Sequence, residues 1–110
     1  MSVEINVTGE VVTAFLTGEL DHHTAREMRE AIDSAVELNM PTLLILNFEG
    51  ISFMDSSGIG LVMGRYRKLA KTGAQLHITG ASPQISKVFR LAGIERLARL
   101  DENVQCRERK

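Results

Sequence analysis

Thr42-Leu43-Leu44-Ile45-Leu46-Asn47-Phe48 is a short, apolar, mostly non-alternating run. A strand buried on both faces reads this way, so the run is expected to be the central strand of a layered fold. Upstream of it, His22 to Asn39 has helical spacing. Ala25, Met28, Ile32, Ala35 and Val36 recur at steps of three and four and share one face. The other face carries Arg26, Glu27, Arg29, Glu30 and Asp33. Asp21 stands where an N-cap belongs. Asn39-Met40-Pro41 closes the helix, because proline disfavours helical geometry in the residue before it. A strand, a long helix and a further strand imply a right-handed parallel crossover.

Further upstream, Val3–Val7 alternates weakly and Thr8-Gly9-Glu10 makes a turn. Val11–Leu16 is β-branched and aromatic and ends at Thr17-Gly18, so the two runs form a hairpin at one sheet edge. Downstream, Glu49–Asp55 is expected to be a loop. Ser57–Lys71 is a second helix with Ile59, Val62, Met63, Tyr66, Leu69 and Ala70 inward, Arg65, Lys68 and Lys71 outward, and Gly73 as C-cap. Gln75–Thr79 is a third parallel strand. Ser82-Pro83 opens a third helix with Ile85, Val88, Phe89 and Ala92 on its apolar face and Gly93 at its end. Glu95–Leu100 is expected as a short edge strand, with a last helix starting from Asp101. The order β-β-α-β-α-β-α-β describes one small α/β domain over residues 1–110. Its sheet is mixed and mostly parallel, with an N-terminal β-hairpin and helices packed on it.

Composition narrows the function. A chain of 110 residues holds one core. With 44% hydrophobic and 25% charged residues it is expected to be ordered. A formal net charge of -1 gives no bulk attraction to nucleic acid or to an acidic membrane surface. The N-terminus lacks the basic start and apolar run of a signal peptide. Leu43-Leu44-Ile45-Leu46, the longest large-aliphatic run, is too short to span a bilayer. The lone cysteine, Cys106, can close no internal disulfide and reads as an inert surface thiol. The expected location is the cytoplasm.

Chemistry in a parallel sheet collects at the C-terminal strand ends. The segment Ile51–Gly60 falls there, ahead of a helix whose first N–H groups are expected to be unpaired and partly positive. A phosphate on Ser56, roughly −1.5 to −2 in charge, would be accepted there, with Asp55 opposing it. Gly58 and Gly60 leave the first turn bare for a partner. Met54, Ile59 and Leu61 are expected to add an exposed apolar rim. From spacing alone, capping remains the simpler reading of Asp55, Ser56 and Ser57.

Two motifs carry a family resemblance. Ser52-Phe53-Met54-Asp55-Ser56-Ser57-Gly58-Ile59-Gly60, followed by Gly64-Arg65-Tyr66, resembles the signature of STAS-domain anti-sigma factor antagonists. Leu16-Thr17-Gly18-Glu19-Leu20-Asp21-His22-His23-Thr24-Ala25 resembles the family's second landmark. The likeness runs from about residue 3 to residue 100, and the His-His pair and Gly-Arg-Tyr helix look most like the sporulation branch.

The resemblance implies partner switching by a protein that catalyses nothing itself. The unphosphorylated form binds an anti-sigma factor that is also an ATP-dependent serine kinase, and so releases sigma F. That kinase phosphorylates the first serine of the pair, Ser56, and binding is lost. A metal-dependent serine phosphatase acting on phospho-Ser56 restores it. Asp21 lies, by similarity, on the same face and touches the kinase. The expected partner-binding surface is therefore Asp21 with Met54, Asp55, Ser56, Ser57, Gly58, Ile59, Gly60 and Leu61. The resemblance implies no cofactor.

Other readings are weaker. His22 and His23 are adjacent and point to different faces, and His77 has no evident partner, so no metal site is expected. A serine hydrolase lacks Gly-x-Ser-x-Gly and a placed base. A nucleotide-binding module finds glycines at 58, 60 and 64 but neither a Gly-Lys-Ser/Thr ending nor a full Gly-x-Gly-x-x-Gly. The nearer rival is a relative in the same family that acts on a general-stress sigma factor.

Overall fold

A computed structural model describes residues 2–102. It places strand β3, Leu43–Met54, at the centre of a five-stranded sheet of order β1-β2-β3-β4-β5. β1, Val3–Thr8, and β2, Val11–Leu20, form the antiparallel edge hairpin, with Val3 opposite Leu16 and Thr8 opposite Val11. β2, β3, β4 (Gln75–Ala81) and β5 (Arg99–Glu102) are parallel. Helices α1 (His22–Asn39), α2 (Ser57–Ala70) and α3 (Pro83–Leu91) make the three crossovers. Each crossover steps to the next strand in the same direction. Right-handed connections therefore put all three helices on one face of the sheet.

The core lies between that face and the helices. Val12, Ala14, Leu16, Leu44, Leu46, Phe48, Leu76 and Ile78 are buried from the strands, and Met28, Ile32, Val62, Leu69, Ile85 and Phe89 from the helices. Phe48 and Phe89 meet edge to face, centroids 5.3 Å apart at 86°, a favoured aromatic geometry. The intervening strand residues Thr13, Ile45, Asn47 and His77 are only half-buried. β3 is thus sealed by helices on one side, and the expectation of a strand buried on both faces is corrected.

Three boundaries differ from the sequence reading. Glu49–Met54 is not a loop: β3 continues through it, because Thr17–Leu20 of β2 extends alongside and pairs Gly50 through Met54. Register shifts at Phe15/Thr17 and Gly18/Glu19 let the two strands bend together there. Residues 95–100 are not one strand: Ile94–Arg96 is a 3-10 turn, and β5 begins at Arg99. Asp101 belongs to β5, and the remainder of the expected last helix, with Cys106, lies outside the described residues. Among the described residues no helix is long and apolar enough to cross a membrane.

Candidate functional site

The extended β2–β3 pair carries two acidic residues to one end of the sheet. Leu20 is in register with Met54, and the Asp55 N–H donates to the Leu20 carbonyl at 3.2 Å. Asp21 and Asp55 therefore follow neighbouring strands and stand side by side, each opening a helix. Asp21 Oδ1 accepts the N–H groups of His23 and Thr24, both at 3.0 Å. Thr24 Oγ1 accepts the Asp21 N–H at 2.9 Å and closes a capping box. The backbone N–H of Thr24 is the first cause that holds the Asp21 carboxyl below its ordinary pKa of 3.8.

At α2 the cap is Asp55. Its Oδ1 accepts the Ser57 N–H at 2.8 Å. Ser56 sits in helical geometry, is exposed, and makes no capping hydrogen bond. The two neighbours divide the work: the carboxylate closes the helix and the hydroxyl stays free.

The first turn is not bare. The Gly58 N–H donates to the Asp55 carbonyl at 3.0 Å, and those of Ile59 and Gly60 donate to the Ser56 carbonyl at 3.1 and 3.3 Å. With Ser57 held by Asp55, the donors of residues 57–60 are engaged, while the Ser56 N–H has no partner among the described residues. The expectation of several unpaired N–H groups awaiting a phosphate is therefore corrected to one, that of Ser56 itself. A phosphate on Ser56 would meet the helix dipole and one open donor, the N–H of its own residue.

Two further expectations are corrected. Gly58 is buried, and a Cβ built there lies 2.4 Å from Met54 Cγ and 2.3 Å from its Sδ. The glycine exists to let Met54 cover the helix start, and it leaves a partner no room. Gly60 has nothing within 4 Å of an added Cβ and is the open position. Leu61, 4% exposed, belongs to the core and not to a surface rim. Met54 and Ile59 are half-buried and remain at the surface.

The expected inner face of α2 holds at Val62 and Leu69, which are buried, and at Ile59, Met63 and Tyr66, which pack against the core, but it differs at its borders. Leu61 and Arg65 point in, and Ala70 is exposed. Arg65 Nε lies 2.9 Å from Asp33 Oδ1 of α1. Neither of these two atoms has a hydrogen bond of good angle, so the contact is an ion pair held by charge rather than by direction. Lys68 reaches Glu37 at 2.7 Å and Asp33 at 3.7 Å. Arg65 and Lys68 thus fasten α2 to α1 and are not a free solvated face.

Two surface features escaped the sequence reading. Phe53, 52% exposed, stands on the β3 extension just before Met54. A continuous β2–β3 alternation would have predicted its outward side chain. Beside the site, a groove of about 710 Å³ runs between the first halves of α1 and α2, with Arg26, Arg29 and Arg65 among its walls. Its cationic character needs the α1–α2 packing to be seen.

The STAS-domain profile matches residues 2–106. The anti-sigma F factor antagonist of Lysinibacillus sphaericus is 44% identical over 88 residues, covering 80% of this chain and 75% of that protein. The anti-sigma-B factor antagonist of Staphylococcus aureus is 27% identical over 105 residues, 96% of each chain. The structure of the Bacillus cell fate determinant SpoIIAA in its phosphorylated form superposes with a TM-score of 0.72 at 37% identity, covering 97% of both chains.

Proposed function

We propose that this chain, which belongs to the STAS-domain family, is an anti-sigma factor antagonist of the sigma F type whose binding is switched off by phosphorylation of Ser56. The observation that carries the switch is the division of labour at α2. Asp55 caps the helix, while the adjacent Ser56 is exposed with a hydroxyl that makes no capping bond. A kinase can take that hydroxyl without unpicking the fold. The unmodified surface, with Asp21, Met54, Asp55, Ser56, Ser57, Ile59 and Gly60, binds the anti-sigma factor. That partner is the serine kinase that modifies Ser56, and a serine phosphatase resets it. The protein acts in the cytoplasm, as a binding partner rather than an enzyme, in a single domain.

The 44% identity to an anti-sigma F factor antagonist supports the sporulation pathway. An anti-sigma-B role, the one borne by the 27% identical relative, is the second reading. The test is incubation with the cognate anti-sigma factor and ATP, followed by mass spectrometry of the modified site. Phosphate on Ser56 with loss of binding is expected. Phosphate on Ser57, or on neither serine, refutes the assignment.

A further inference from the structure

The groove beside Ser56 is lined by five basic side chains and no acidic one. His22, His23, Arg26 and Arg29 come from α1, and Arg65 from α2. Arg65 is answered by Asp33 at 2.9 Å. Arg26 and Arg29 are exposed, and neither joins an ion pair among the described residues. The charges also press on one another. The Arg65 guanidinium is pushed below its ordinary pKa by burial first; Asp33 opposes that shift and the positive field of Arg29 adds to it. On a chain of net charge -1 this is a local concentration of uncompensated positive charge, the condition under which an anionic partner is drawn in.

Shape and position narrow the occupant. Gly60 and Gly64 line the α2 side and carry no side chain to fill the space; nothing lies within 4 Å of a Cβ added at either. A polypeptide can therefore approach closely. Ser57 also lines the groove, which makes it continuous with the surface around Ser56. A nucleotide phosphate fits poorly, because a phosphate cradle needs several free backbone donors and those of residues 57–60 are all engaged.

We infer that this groove receives an acidic segment of the same anti-sigma factor that covers Ser56, with Arg26 and Arg29 as its anchoring charges. The inference rests on the antagonist reading above and adds a mechanism to it. A phosphate on Ser56 brings roughly −1.5 to −2 of charge to the groove's mouth. There it repels the acidic segment and competes for the same arginines.

The experiment compares wild type, the double variant R26E/R29E, and the control K71E/K87E, which makes the same net change in charge on exposed residues away from the groove. Binding to the cognate anti-sigma factor is measured by stopped-flow fluorescence and titration across a series of salt concentrations. Circular dichroism melts confirm that all three fold, and R26Q/R29Q serves if the reversed charges perturb α1. The expected result is a loss of affinity on the order of tenfold or more for R26E/R29E, a flattened salt dependence of its association rate, and little change for the control.

Equal binding by R26E/R29E and wild type overturns the groove assignment and leaves the antagonist reading intact. An equal loss in K71E/K87E reduces the effect to bulk charge and overturns it too. ATP or GTP binding that R26E/R29E abolishes, or a self-associated form that it dissolves, assigns the groove to another occupant. Failure of wild type to bind the anti-sigma factor at all removes both readings together.

Discussion

Replacing Asp55 and Ser56 by alanine, one at a time, separates the residue that holds the helix from the residue that carries the signal. Asp55 Oδ1 accepts the Ser57 N–H at 2.8 Å. Its loss exposes a leading donor of α2 and costs about 1 kcal/mol, the usual price of an N-cap. In a domain of this size that lowers Tm by about 4–8 °C. The Ser56 hydroxyl makes no capping bond and its residue is exposed, so Ser56→Ala should stay within about 0.5 kcal/mol of wild type. Phosphorylation should also leave the fold standing. A favourable helix-dipole contribution of about 0.3–1 kcal/mol is set against repulsion from Asp55 on the order of 1 kcal/mol in high dielectric. The assay is thermal unfolding of the three proteins and of phosphorylated wild type, each paired with a titration of the anti-sigma factor. Ser56→Ala should melt near wild type, bind, and resist release by ATP. If Ser56→Ala loses as much stability as Asp55→Ala, the serine is a cap and the division of labour proposed at α2 is wrong.

The two glycines of α2 should respond in opposite ways. Gly60→Ala meets nothing within 4 Å and should raise stability by roughly 0.5–1 kcal/mol while weakening partner binding, read by melts and titration. Gly58→Ala drives a methyl into Met54 and should lower Tm, with Met54→Ala restoring part of the loss in the double variant. Phe48→Ala removes the edge-to-face contact with Phe89 from a fully buried site and should cost roughly 3–5 kcal/mol in urea unfolding. Asp21 has a folded-state pKa below its ordinary 3.8. Its contribution is therefore present above 3.8 and lost as pH falls through the lower folded value. Asp21→Asn keeps an acceptor oxygen and cannot titrate, so its stability profile should be flatter below pH 3.8; an unchanged slope would show that Asp21 does not set it.

Much of this was legible before any coordinates. The Ala25–Val36 spacing, Asp21 and Pro41 mark α1 because periodicity, cap and breaker are all local signals. What stayed hidden depends on distant partners. Glu49-Gly50 looks like a turn, yet it is strand, because the Thr17–Leu20 extension supplies its hydrogen bonds. Gly50 is admitted there because the Thr17 side chain lies 2.7 Å from where its Cβ would be. On α2, the apolar residues 59, 62, 63, 66 and 69 suggest one inward face. That face does pack on the core, but the helix also brings in Leu61 and sets Arg65 against Asp33, which lies 32 positions earlier and is no neighbour in sequence. Spacing placed Asp55, Ser56 and Ser57 at a helix start, while the bond from the Ser57 backbone N–H to Asp55 Oδ1 could be seen only in the folded chain.

That oxygen also bears on how a phosphate on Ser56 would act, on binding rather than on shape. Phosphates remodel proteins when they find unsatisfied donors or a charge cluster that reorders a segment. At α2 the donors of residues 57–60 are engaged by Asp55 and by the Ser56 carbonyl, and the strand end behind them is tied to Leu20. An added phosphate therefore finds only the Ser56 N–H open, and any other first-turn hydrogen bond would have to break an existing one. It would stay at the surface, next to the groove that Ser57 and Gly60 line. The free energy of modification then falls on whatever must lie against that surface. The same reasoning limits the mimic: Ser56→Asp supplies about half the charge and one fewer acceptor oxygen. It should weaken anti-sigma factor binding by less than the phosphate does, with the backbone amide shifts of residues 61–69 unchanged in NMR spectra. Shifts spread through the α2 core at Val62 and Leu69 would instead mean that the modification acts by rearranging the helix.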